Sequence, residues 1–196
     1  MKKTPLLILI IFFCLSIASV DKVKIEEEIY VGNDIVVIDT TTIVIDSLEI
    51  DIENYFDDNY PNVTISPREL ARVCVEYNLE PIFVLSQAHL ESHYGTKGRA
   101  KRTNSVFNVG AWDDGTTKNW YKTPDSSIEP YAILLTKSYL INGKTIHDLL
   151  KPGSFVNVNG HRYASAKNYE HKLKWLISYI GERSKIGYLS DYYENV

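Results

Sequence analysis

Apolar positions recur at two different periods along this chain. In "IYVGNDIVVIDTTTIVIDSLEIDIENY" (residues 29–55), Ile, Val and Thr alternate in part with acidic residues. That pattern predicts strand rather than helix. A hairpin, an edge strand offered to a protein partner, and an extended linker all remain open for residues 21–60, whose acidity would keep an exposed edge from aggregating. From Ser66 the period becomes helical. "SPRE" predicts a capping box, with Ser66 as N-cap, Pro67 at the first helical position and Glu69 at the third. Leu70, Val73, Cys74 and Tyr77 then share one face. "NLEP" breaks that helix, and Pro81 opens a second one predicted to run to about Tyr94, with Gly95 as its left-handed cap.

On this second helix Val84, Gln87, Ala88 and Glu91 lie at i, i+3, i+4 and i+7, so Glu91 falls on or near the buried stripe. A Gly-, Asn- and Asp-rich segment with aromatics follows and predicts loop or short β structure. Helix returns over residues 126–141, briefly over 145–150, and over 169–184, where Leu173, Leu176, Ile177 and Ile180 are at core spacing.

The first 19 residues, "MKKTPLLILIIFFCLSIAS", place two lysines before an apolar run and then small residues. The run is shorter than the ~20 residues of a comfortable membrane span. It reads as an export signal cut before Ser19, which would send the protein to the periplasm, cell wall or exterior; a membrane anchor through residues 5–20 is the alternative. Bulky residues before Cys14 argue against lipid attachment. With the signal removed Cys74 stands alone, so no intrachain disulfide forms, and its place on an amphipathic helix reads as a small core residue.

Charge divides the chain. Residues 21–60 hold twelve Asp/Glu and two Lys, a net of −10, whereas residues 61–196 carry a net of +4. The mildly basic part suits an anionic polymer such as cell wall and is too weakly charged to argue for nucleic acid.

Glu91 is the residue with chemistry to explain. A carboxylate in the last helical turn faces the negative end of the helix dipole, and partial burial adds to the penalty. Both keep its proton on, which is what a glycosidase asks of its general acid. Asp113 and Asp114 are candidates for a partner carboxylate, and Trp112, Trp120 and Tyr121 for sugar-stacking platforms; a turn and core packing are the plain alternatives. His89 and His93 flank Glu91 as H-x-E-x-H, but Glu91 points away from the face they share, and His147, His161 and His171 are scattered. No metal and no cofactor are assigned. Neither a Gly-rich phosphate loop nor a G-x-S-x-G elbow occurs.

"SQAHLESHYGTKGRAKRTNSVFNVGAWDDG" resembles the bacterial and phage glucosaminidase family, whose pattern is matched by Gln87, Ala88, Glu91, Ser92, Tyr94, Gly95, Thr96, Ala100, Asn104, Phe107, Asn108 and Val109. "SSIEPYAILL" and "FVNVNGHRYASAKNYEHKLKWLI" look like its later segments, so the resemblance covers about residues 64–185.

The resemblance implies an α+β, mainly α, lysozyme-like fold with a small irregular or β lobe, preceded by a β-rich N-terminal extension. With the N-terminal pattern and the charge split, this divides the chain into a signal (1–18), an acidic strand-rich extension (19–63), a catalytic domain (64–190) and a tail (191–196). It implies peptidoglycan as substrate, cut after N-acetylglucosamine. Glu91 would be the acid, with Asp113 or the substrate's own acetamido group assisting, and Tyr163 acting from the opposite cleft wall. Gln87, Ser92, Tyr94, Asn104, Trp112, Asp114, Trp120 and Tyr169 would bind substrate. The loop between Val109 and Ser126 is shorter than in many members, which leaves the second catalytic group open. Two other readings stand beside this one: a lytic transglycosylase of similar fold, and a non-catalytic wall-binding or assembly protein.

Overall fold

A computed structural model describes residues 26–31, 34–111 and 118–194. Strands β1 (Glu26–Val31) and β2 (Asp34–Asp39) form an antiparallel hairpin in which Glu26 pairs with Asp39 and Val31 with Asp34. Helices follow: α1 (Thr40–Asn59), α2 (Pro67–Glu76), α3 (Pro81–Ser92) and α4 (Ala100–Thr103). A 3-10 turn (Asp125–Ser127) leads into α5 (Ile128–Ser138), α6 (Ile146–Leu149), α7 (Tyr169–Gly181) and α8 (Leu189–Glu194). The protein is mainly helical, as a lysozyme-like fold requires.

The β-rich reading of residues 29–55 does not hold. Strand stops at Asp39, whose carboxylate accepts from the Thr42 backbone N–H and caps a 20-residue helix. Along α1, Val44, Leu48, Ile52, Tyr55 and Phe56 are buried at spacings of three and four, while Ile43 and Ile50 are 40% and 57% exposed. The β-branched residues suggested strand by propensity, but helix propensity differences are only tenths of a kcal/mol per residue. Burying a continuous apolar stripe outweighs them. Residues 40–59 are therefore not a linker. They pack into the same core as Leu70, Val73 and Cys74 of α2.

Surface ion pairs run between the two helices, from Arg68 to Asp46 and Glu49. At the other end of the chain Tyr192 donates to Asp51 at 2.8 Å, and the Leu189 N–H donates to Glu80 at 3.0 Å. Residues on both sides of the expected 64–190 domain thus join one core. No described helix is long and apolar enough to cross a membrane, and residues 1–18 lie outside the described residues.

The capping box before α2 is half formed. Ser66 accepts from the Glu69 N–H, but the Ser66 N–H goes to Asp125, at 2.7 Å, and Glu69 turns to Arg72 instead. That exchange ties the start of α2 to the turn before α5. Cys74 is fully buried, and burial pushes its thiol well above the ordinary range, consistent with an inert packing residue.

Helices α3 and α7 form the pair that positions the site. They run in opposite directions: a Cβ added at Gly181, the end of α7, would meet Ile82 near the start of α3 at 3.3 Å, while Tyr169, the first residue of α7, reaches Gln87 and Glu91.

If α1 belongs to the core, Leu48→Ala will destabilise the protein by about 3 kcal/mol. Ile50→Ala, on the exposed face, will change stability by less than about 0.5 kcal/mol. Urea unfolding followed by circular dichroism measures both; two equally silent substitutions would make α1 a linker after all.

Candidate active site

Helix α3 ends at Ser92, two residues before its pattern suggested. His93 (φ 48°), Tyr94 (φ 58°) and Gly95 (φ 82°) are three successive left-handed residues. Such geometry is costly for a residue as bulky as Tyr. It is offset by burial: Tyr94 is completely inaccessible, packed against Tyr55, Phe56, Tyr60 and His89. The resulting reversal leaves Glu91 on the last helical turn, with the chain turning away behind it.

The carboxyl of Glu91 is only partly accessible and is held on two sides. Tyr169 donates to Oε1 at 2.6 Å, and the Asn108 amide donates to Oε2 at 3.1 Å. The same amide donates to the Glu91 carbonyl at 2.8 Å, satisfying one of the acceptors that a helix C-terminus leaves unpaired. Burial raises the pKa of Glu91 above its ordinary 4.5, and the two donors pull in the opposite direction. Burial, one of the two causes that the sequence pointed to, is the largest cause of the rise.

Behind Glu91 lies a directional chain of hydrogen bonds. Tyr131 on α5 donates to Gln87 Oε1; Gln87 Nε2 donates to the Tyr169 hydroxyl at 3.1 Å; Tyr169 donates to Glu91. Gln87 and Tyr131 are fully buried, so each bond replaces a water contact that cannot be made. Burial, with the nearby Glu91 charge as a further cause, holds Tyr131, Tyr163 and Tyr169 well above the ordinary phenol range, so all three stay protonated.

The loop facing Glu91 is pinned at several points. Ser92 Oγ donates to the Val106 carbonyl at 2.6 Å, the Val106 N–H donates to Ser127 at 3.0 Å, and Tyr163 donates to the Phe107 carbonyl at 2.9 Å. Phe107 lies flat on Tyr131, with ring centroids 3.6 Å apart. Tyr163 in turn packs on Tyr169 at 5.8 Å.

These positions correct several expectations. Gln87, Ser92 and Tyr94 are buried and engaged with protein groups, so they shape the site from behind and do not reach a glycan. Asn104, left-handed at φ 56°, holds the returning loop through the Tyr121 and Lys122 carbonyls. Tyr169 is 4% exposed; what it touches is Glu91. Trp120 is 62% exposed. Trp112, Asp113 and Asp114 lie outside the described residues.

Two residues escaped the sequence reading as site groups. Asn108 and Tyr131 both fall in segments that match the family pattern, Tyr131 in "SSIEPYAILL", and neither was given a role. His89 and His93 have adjacent rings, with centroids 4.5 Å apart, and His89 meets the Tyr60 hydroxyl at 3.2 Å. Burial, then His93 and Lys97, lower the His89 pKa to about 4, so it is neutral in the physiological range. Among the described residues no group of three His, Cys, Asp or Glu could hold a metal ion.

A carboxyl whose pKa is raised by burial, set at the end of a helix in a mainly helical fold, has the kind of environment that a general acid needs. The chain belongs to the Glucosaminidase family, described as mannosyl-glycoprotein endo-beta-N-acetylglucosaminidase, which matches residues 67–182. Membership supports glycoside hydrolase activity, with peptidoglycan as the substrate. No curated protein matches the chain significantly.

Tyr169→Phe removes both an acceptor for Gln87 and a donor to Glu91. It will cost about 1–3 kcal/mol in denaturant unfolding and raise the Glu91 pKa further. A variant as stable as the wild type would show that the chain of bonds contributes nothing to the fold.

Proposed function

We propose that the protein is an exported endo-acting peptidoglycan hydrolase that cuts the β-1,4 bond after N-acetylglucosamine, with Glu91 as general acid. The observation that carries this reading is the environment of Glu91: a carboxyl raised in pKa by burial and fixed by Tyr169 and Asn108, on a residue that is itself only half-buried.

In the reaction Glu91 gives its proton to the glycosidic oxygen as the C1–O bond breaks, and the bonding pair leaves with that oxygen. The positive charge growing at C1 is met by the substrate's acetamido oxygen or by a water that Asp113 deprotonates. On the acetamido route water then opens the cyclic intermediate at C1 and returns a proton to Glu91; on the Asp113 route the one water forms the new C1–O bond, and proton exchange with solvent restores both carboxyls. Tyr163 and Tyr169, kept neutral, spend their hydroxyl protons on the Phe107 carbonyl and on Glu91, so they support the acid without adding charge. Trp120 presents an exposed indole on which a sugar ring can stack.

Three outcomes test the reading. Glu91→Gln will lower wall hydrolysis by about 10²–10⁴-fold while leaving wall binding intact; equal clearing by both proteins would remove Glu91 from the chemistry. Mass spectrometry of digested muropeptides will show reducing-end N-acetylglucosamine, whereas anhydro-muramic ends would mark a transglycosylase and unchanged walls a binding module. The pH dependence has a fixed sign. Glu91 must be protonated to act, so activity persists above pH 4.5 and falls as pH rises through its elevated pKa. An activity limb that already falls at or below that pH would contradict the assignment.

A further inference from the structure

The geometry points to Asn108 as the positioning residue that fixes the Glu91 carboxyl in its working rotamer and tunes the pH at which it gives up its proton. This rests on the acid role proposed for Glu91.

One amide nitrogen makes two contacts, 2.8 Å to the Glu91 carbonyl and 3.1 Å to its Oε2. The first decides the orientation of the amide. A backbone carbonyl can only accept, so the NH₂ side of Asn108 must face it, and the carboxyl therefore meets a donor and never the amide oxygen. A donor at Oε2 favours the ionised form and opposes the burial that raises the pKa. Asn108 thus keeps the acid strong enough to donate while the pocket keeps it protonated enough to have a proton to give.

Two features of Asn108 bear on this role. Its backbone is left-handed, at φ 51°, and its Oδ1 is buried with no hydrogen-bond partner among the described residues. Burying an unpaired acceptor is unfavourable. Strain of this kind persists where the surroundings over-determine it, commonly at functional sites. The surroundings here are firm: Phe107 is clamped by Tyr163 and Tyr131, and the Asn108 N–H is bound to the Ser105 carbonyl at 3.1 Å.

The ionisable groups facing Glu91 among the described residues are Tyr169 from α7, Tyr163 from the segment before it and Tyr131 from α5, all held neutral. On its own helix, His89 turns to Tyr60 and His93. Asn108 is the donor to this carboxyl whose removal leaves the tyrosines in place.

Asn108→Gly suits the test, because glycine adopts a positive φ freely and the loop keeps its shape. In ¹³C-NMR titrations of glutamate-labelled protein, with the Glu91 signal identified by its loss in Glu91→Gln, the midpoint of Glu91 will move up by about one unit. The falling limb of the pH–rate profile will move with it, and kcat will drop about tenfold with little change in KM. Asn108→Asp, which replaces the donor with an acceptor or a negative charge, will move the midpoint further the same way. If both variants lower the melting temperature and leave the midpoint in place, Asn108 is only a loop residue and the proposal is overturned. The titration reads without catalysis: a wild type that cuts no wall would defeat the proposed function and leave the Asn108 result standing.

Discussion

The contact between the Tyr169 hydroxyl and Glu91, 2.6 Å long, joins the two halves of the site. It closes where the end of α3 meets the start of α7, so it exists only if the two helices pack in opposite directions at one particular register. Gln87, one turn before Glu91 on α3, takes the same hydroxyl as acceptor and passes the constraint to Tyr131 on α5. Three helices are thereby locked about a single phenol. A shift of one helix along another would leave buried polar groups unpaired, at a cost larger than most single packing contacts.

The same packing explains how an acid can be both buried and useful. Burial alone would raise the Glu91 pKa and leave the carboxyl a weaker proton donor. The Tyr169 and Asn108 donors act against that rise. What results is a balance between desolvation and two hydrogen bonds, and each of those bonds comes from a different part of the chain. The loop that brings Asn108 is held by Ser92, Ser127 and Tyr163, so its placement is a property of the core and not of the loop's own few residues.

Helix α1 shows how far the stabilising core extends beyond the family match at residues 67–182. Its Tyr55 and Phe56, together with Tyr60 just past its end, surround Tyr94, whose left-handed turn ends α3 directly after Glu91. Residues before the matched region therefore support the geometry of the site through an aromatic cluster. Burial of that cluster offsets the backbone strain at Tyr94.

The helical stripes of α2, α3, α5 and α7 were legible in the sequence, because apolar residues at spacings of three and four admit one regular structure that buries them all. So was Glu91, since an acid at a helix end beside a buried stripe is a local anomaly. Helix α1 was not legible, because its Ile and Val residues satisfy strand propensity and only the presence of α2 decides that the four-residue spacing of Val44, Leu48 and Ile52 prevails. The roles of Gln87, Ser92, Tyr94, Asn104 and Asn108 were likewise closed to it. Each depends on a partner between 14 and 82 residues away, such as the Tyr169 hydroxyl for Gln87 or the Val106 carbonyl for Ser92, and hydrogen bonds over such distances are chosen by packing and not by neighbours in the chain.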